Sequence, residues 1–198
     1  MMHVASRIAL GVTMAMALAG MGHAASLDAE GAEVLGKRLP DWGDLHFVDA
    51  PVHRKPADFK GKVVLIRFWT DQCRFCRASA PVLSGWGDAY RDRGLVVIDI
   101  YHPKPPHAVS DEEVRAYAKR IGMRGILAVD PRWSALEKLW LRGQDRAYTS
   151  ASLLVDREGI VRAVHRGGYL SQDGSDDDRR EAQAFEKSLK NLMENDRL

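Results

Sequence analysis

Residues 63–69, VVLIRFW, form a nearly continuous apolar run rich in β-branched and aromatic side chains, and a C-x-x-C motif, Cys73-Arg74-Phe75-Cys76, begins four residues later. A run this short, preceded by the turn-like residues 58–62, predicts a strand buried on both faces. Beyond the motif, Cys76, Ala80, Leu83 and Tyr90 recur at helical spacing or its multiples, so a helix follows at once and ends at Gly94. The two cysteines therefore fall between a buried strand and the first turn of a helix. Unpaired backbone N–H groups and the positive end of the helix dipole favour an anion there. This makes Cys73 the attacking thiolate, with Arg74 and Arg77 adding weaker, screened support. Cys76, one turn deeper on the apolar side, becomes the resolving thiol.

The rest of the chain supplies the elements of an α/β domain. Residues 45–48 suit a peripheral strand, residues 95–100 repeat the buried-strand pattern, and the proline-bearing residues 101–107 must form a loop. Ser110 with Glu113 is a capping-box signature ahead of the helical spacing of Val114, Tyr117, Ala118 and Ile121. Residues 126–129 predict a third strand, and Trp133, Leu136 and Trp140 a short helix. Residues 153–155 and 160–164 flank the turn Asp156-Arg157-Glu158-Gly159 as a hairpin, and Phe185, Leu189 and Leu192 mark a C-terminal amphipathic helix. This order implies a central mixed β-sheet with helices on both faces.

Two cysteines three positions apart close too small a loop to serve as a structural staple, so the pair requires a chemical explanation. A zinc site would need a second C-x-x-C, and none exists; covalent haem would need His after Cys76, where Arg77 stands. No cofactor is implied. His102, His107 and His165 could join the cysteines in a copper or zinc binding or chaperone site, but such histidines are more often solvated loop or strand-end residues, and no metal ligand is assigned. A thiol peroxidase is a further alternative, since Thr70 lies three positions before Cys73. Ile66 occupies the place of the proline that peroxidase sites carry. The acidic residues Asp176, Asp177 and Asp178 read as the start of a solvated helix. Trp133 and Trp140 read as packing.

At 198 residues the chain has the size of one domain, and a formal net charge of +2 with no dense Lys/Arg stripe argues against nucleic-acid binding. Arg7, the apolar residues 8–21 and the triplet Gly22-His23-Ala24 form a secretory signal-peptide pattern. The apolar run falls short of the roughly 20 residues of a spanning helix. The expected organisation is a signal peptide over 1–24, a linker or leading segment over 25–38 and a domain over 39–198. The protein is expected in the periplasm or otherwise exported, as a monomer, with membrane association only if the signal segment stays uncleaved.

The stretch FWTDQCRFCRASAPVL resembles the active-site region of thioredoxin-like proteins, most of all the exported thiol-disulfide oxidoreductases of the TlpA, ResA and redoxin type. Phe68 and Trp69 precede the cysteines as in that family, Arg77 follows them, and Pro81 with Val82 and Leu83 matches its kinked helix. GKVVLIRFW and LLVDREG resemble the strand leading to the cysteines and a later strand and turn. The resemblance implies a thioredoxin-like sandwich and a thiol-disulfide oxidoreductase. Its partners would be protein thiols or disulfides and an upstream redox partner, in cytochrome c assembly or periplasmic redox homeostasis. It points to Trp69, Arg74, Phe75, Thr149 and Ser150 as substrate-binding residues beside the catalytic Cys73 and Cys76. Three positions depart from the pattern. Gln72 replaces a common tryptophan, and Arg67 stands where thioredoxins bury an acidic residue, which removes a proton relay through that carboxylate. Ser150 occupies the place of the family's cis-proline facing the cysteines. Because a cis bond before a non-proline residue costs about 2.5–4 kcal/mol, Thr149–Ser150 is expected to be trans, with Ser150 still facing the motif.

Overall fold

The computed structural model describes residues 30–43, 45–48, 54–171 and 173–194. The signal-peptide reading of residues 1–24 lies outside them. Six strands form one mixed sheet in the order β1-β4-β3-β2-β5-β6: β1 (His46–Phe47), β2 (Val63–Trp69), β3 (Leu95–Tyr101), β4 (Ile126–Val129), β5 (Ser152–Val155) and β6 (Val161–His165). The run of residues 63–69 is the central strand, buried at every position. It pairs in parallel with β3 and antiparallel with β5, and β3 pairs in parallel with β4. The hairpin closes as β5 and β6.

Helix α1 (Arg74–Tyr90) runs through Pro81 without ending, passes into the 3-10 turn Arg91–Arg93 and stops at Gly94, whose φ of 89° completes a left-handed cap. Helix α2 (Asp111–Ile121) starts on the expected capping box: Ser110 Oγ accepts the Glu113 N–H, and Glu113 accepts the Ser110 N–H at 2.9 Å. Helix α3 is the short Ser134–Leu136, continued by the π-helical turn Glu137–Leu141, and α4 is Asp176–Glu194. One sheet face packs against α1, α2 and α4 through Ala80, Leu83, Val114, Ala118, Phe185 and Leu189. The other packs against α3 and the N-terminal residues through Val34, Leu39, Trp42, Leu136 and Trp140. This is the α/β sandwich expected of the chain, with helices on both faces.

Residues 30–38, read above as part of a linker or leading segment, fold back onto the domain. Val34 is buried in the second core, Gly36 N–H donates to Val161 O at 2.8 Å, and Glu33 pairs with the buried Arg146, whose guanidinium lies 3.9 Å from the Trp140 ring centroid. An apolar side chain at Val34 and a carboxylate at Glu33 are the features that tie this polar stretch down.

Candidate functional site

The central strand delivers the cysteines to the edge of the molecule. β2 ends at Trp69, the Cys73 N–H donates back to Thr70 O at 3.3 Å in a tight turn, and α1 starts immediately after. Cys73 takes the N-cap position with extended backbone angles, where Ser or Asp usually stands. Its Sγ accepts the Cys76 backbone N–H at 3.2 Å, satisfying one of the unpaired donors at the helix start. Cys73 is half-buried and reachable from solvent, while Cys76 is fully buried against Ala80 and Leu83; the two sulfurs are present as free thiols.

These environments drive the two thiols apart. The hydrogen bond with the Cys76 side chain is the largest cause that lowers the Cys73 pKa, to about 5. Burial opposes it. The Cys76 backbone N–H, the Ser150 hydroxyl and the positive charge of Arg67 reinforce the lowering. Burial pushes the Cys76 thiol well above its usual value, and the neighbouring Cys73 adds to the rise. A thiol pair split this way has one nucleophile ready at neutral pH and one held in reserve.

The Thr149–Ser150 bond is trans, and Ser150 Oγ lies 3.8 Å from Cys73 Sγ. A hydroxyl therefore meets the Cys73 sulfur where a proline ring would leave only hydrocarbon. Arg74 extends over the Phe75 ring at 4.8 Å from its centroid. Phe75 in turn lies between Tyr148 and Tyr169, edge to face with both at 5.5 and 4.8 Å. Tyr148 can approach because Gly167 has φ 125° and no side chain; a Cβ there would stand 2.3 Å from Tyr148 Cβ. The result is a partly exposed aromatic platform beside Cys73. Neither tyrosine was legible as part of the site, since only the fold brings their loops together. Tyr148 adjoins Thr149 in sequence, and that adjacency was the available signal.

Trp69 is placed differently from the other expected binding residues. It is fully buried behind the motif, edge-on to Tyr101 at 4.9 Å, so it supports the cysteines from below and offers no surface to a partner. Its strand position forces this, because side chains alternate and residue 69 points into the core with residues 63 and 65. His102 and His165 are likewise fully buried, and burial lowers their pKa values to about 3 and about 4. His107 sits in a loop, its Nδ1 2.8 Å from Pro105 O. Among the described residues no group of three or more His, Cys, Asp or Glu side chains is arranged to hold a metal ion. Thr70 Oγ1 donates to Asp71 Oδ1 at 3.3 Å, and Tyr101 donates to the same oxygen.

A central mixed sheet with a thiol pair at the strand-to-helix junction defines a thioredoxin-like protein. Solved structures agree on the fold. A thiol-disulfide isomerase from Corynebacterium glutamicum superposes with a TM-score of 0.58 at 19% identity, covering 80% of this chain and 97% of that one. A thiol:disulfide interchange protein of the thioredoxin family from Chlorobium tepidum does so at 0.56 and 19%, with the same coverage. The AhpC/TSA family profile matches residues 28–164, and the chain belongs to that family. Among curated relatives, protein DipZ of Mycobacterium bovis is 34% identical over 116 residues, which are 57% of this chain and 16% of DipZ; the chain thus corresponds to a small part of that relative. The thiol-disulfide oxidoreductase ResA of Geobacillus thermodenitrificans is 22% identical over 142 residues, 72% of this chain and 75% of ResA.

Proposed function

We propose that this protein is a thiol-disulfide oxidoreductase that exchanges the Cys73/Cys76 dithiol for a disulfide on protein partners outside the cytoplasm. The observation that carries the reading is the Cys73 sulfur capping α1, with a buried second thiol one turn behind it. In the reductive direction the Cys73 thiolate attacks a partner disulfide, one partner sulfur leaves, and a mixed disulfide forms. Cys76 then attacks Cys73 Sγ, closes the internal disulfide and releases the second partner sulfur as a thiol. Phe75, Tyr148 and Tyr169 supply an apolar contact beside the exchanging sulfur, and Ser150 a hydrogen bond to it.

The lowered Cys73 pKa stabilises the reduced form of the chain, which poises the couple to accept electrons. General redox exchange among exported thiols fits that poise better than supply of electrons to cytochrome c assembly. Location outside the cytoplasm rests on the signal-peptide pattern of residues 1–24 and on the likeness to ResA. The protein is read as a monomeric domain from about residue 39 with residues 30–38 packed against it. The test is catalysed disulfide exchange on a model protein substrate, followed with the midpoint potential of the couple. Activity lost in Cys73→Ser, and a potential above that of thioredoxin's roughly −270 mV, are the expected results. Full activity in Cys73→Ser would overturn the reading. Consumption of hydroperoxide by the reduced chain, with no protein exchange, would favour the peroxidase alternative instead.

A further inference from the structure

The α1 side of the sheet carries a row of four polar residues in direct register across four strands. Asp99 on β3 is opposite Arg67 on β2, Arg67 is opposite Ser152 on β5, and Ser152 is opposite His165 on β6. All four are buried. Arg67 donates to Ser152 Oγ at 3.1 Å, and its other terminal nitrogen lies 4.0 Å from Cys76 Sγ. Among the described residues Arg67 Nε and Asp99 Oδ1 have no hydrogen-bond partner, so the guanidinium is held by a thin set of contacts and is aimed at the sulfur. Burying an arginine in a central strand is costly, and the Asp99 carboxylate beside it compensates only in part.

We propose that Arg67, set in the row Asp99-Arg67-Ser152-His165 and aimed by Ser152, is a positioning residue for the buried half of the exchange, lowering the cost of the Cys76 thiolate at the moment it forms. This rests on the exchange reading above. In the resolving step the Cys76 sulfur gives up its proton, bonds to Cys73 Sγ and displaces the partner sulfur, which ends as the thiol carrying that proton. In the opposite direction an incoming partner thiolate bonds to Cys73 and Cys76 departs as the thiolate. The same buried anion occurs either way, and Arg67 is the cation that faces it. A carboxylate at this position would accept the Cys76 proton; a guanidinium lowers the cost of the anion instead.

The groups facing Arg67 are Cys73 and Cys76 from α1, Asp99 from β3, His165 from β6 and, just past β3, His102. The carboxyl of Asp99 is raised to about 6 by burial, and the two histidines titrate at about 3 and about 4. Above about pH 8 these three therefore keep one charge state, and a titration of the second step carried into the alkaline range reports Cys76.

The experiment follows the reaction of the full reduced chain with an aromatic disulfide such as Ellman's reagent. One chromophoric thiolate is released when Cys73 attacks and a second when Cys76 resolves. In Arg67→Met the second phase is expected to slow about tenfold or more at pH 7, with its pH midpoint raised by at least about one unit. The first phase should change by less than about threefold. Arg67→Lys should restore most of the second phase. An unmoved midpoint in folded Arg67→Met overturns the proposal. If that variant does not fold, Ser152→Ala decides, since it releases the aim of the guanidinium while leaving its charge: a raised second-phase midpoint supports the proposal and an unmoved one overturns it. A wild-type chain that releases only one equivalent overturns the exchange reading and this inference together.

Discussion

The two faces of the sheet are built from the same strands and differ in what they bury. Towards α3 the central strands present Val64, Ile66, Phe68, Ile98, Ile100 and Leu153, without a charged side chain among them. Towards α1 the alternate positions of the same strands carry Val63, Leu65 and Val97, but also Arg67, Asp99, Ser152 and His165. Both faces are equally shielded from water, so burial alone does not explain the difference. What distinguishes them is the thiol pair: polar residues are buried beneath the helix that presents the cysteines. The apolar face is a device for stability, and the polar row is tolerated where chemistry can use it.

Four measurements test this contrast. The largest effect belongs to Cys73→Ser, which should reduce catalysed exchange to the uncatalysed background while leaving thermal unfolding almost unchanged. Next, Phe68→Ala on the apolar face should cost about 3–5 kcal/mol of stability in denaturant unfolding. In the folded fraction the Cys73 titration should remain where it was, and a displaced titration would show that the two faces are not separable.

The third is pH dependence. His165 is neutral in the fold because burial holds its pKa down at about 4. Its contribution is therefore fully present above about pH 6.5 and lost as pH falls through 4, amounting to about 3 kcal/mol. Asp99 acts in the opposite sense: its raised pKa means that its contribution is present at low pH and is lost as pH rises through about 6. The His165→Gln variant should accordingly lose less stability than wild type between pH 6.5 and 4, measured by urea midpoints. An unchanged acid limb would remove His165 from the account. The smallest effect is expected for Ser150→Ala. Alkylation of Cys73 in the wild type should be half-maximal near pH 5, and removing the hydroxyl should raise that midpoint by less than about one unit. A larger rise would make Ser150, and not the hydrogen bonds from Cys76, the chief support of the thiolate.

Much of this molecule could be read from local pattern. The run of residues 63–69, the capping box at Ser110, the turn at residues 156–159 and the helical spacing of Phe185 and Leu189 each encode an element within a few residues, and the structure places those elements there. The C-x-x-C at a strand-to-helix junction located Cys73 and Cys76 by the same means. Residues 30–38 were less legible, because the partners that hold them, Arg146, Glu158 and Val161, are more than a hundred residues away.

Local order thus encodes the strands and helices and the position of the thiols among them, since hydrophobic periodicity and capping act over one or two turns. Long-range packing sets the rest: Tyr148 and Tyr169 enclose Phe75, Trp69 faces inward, and Arg67 lies in register between Asp99 and Ser152. Strand register and loop apposition depend on the whole sheet closing at once, and that long-range pairing leaves no mark in the local order of residues.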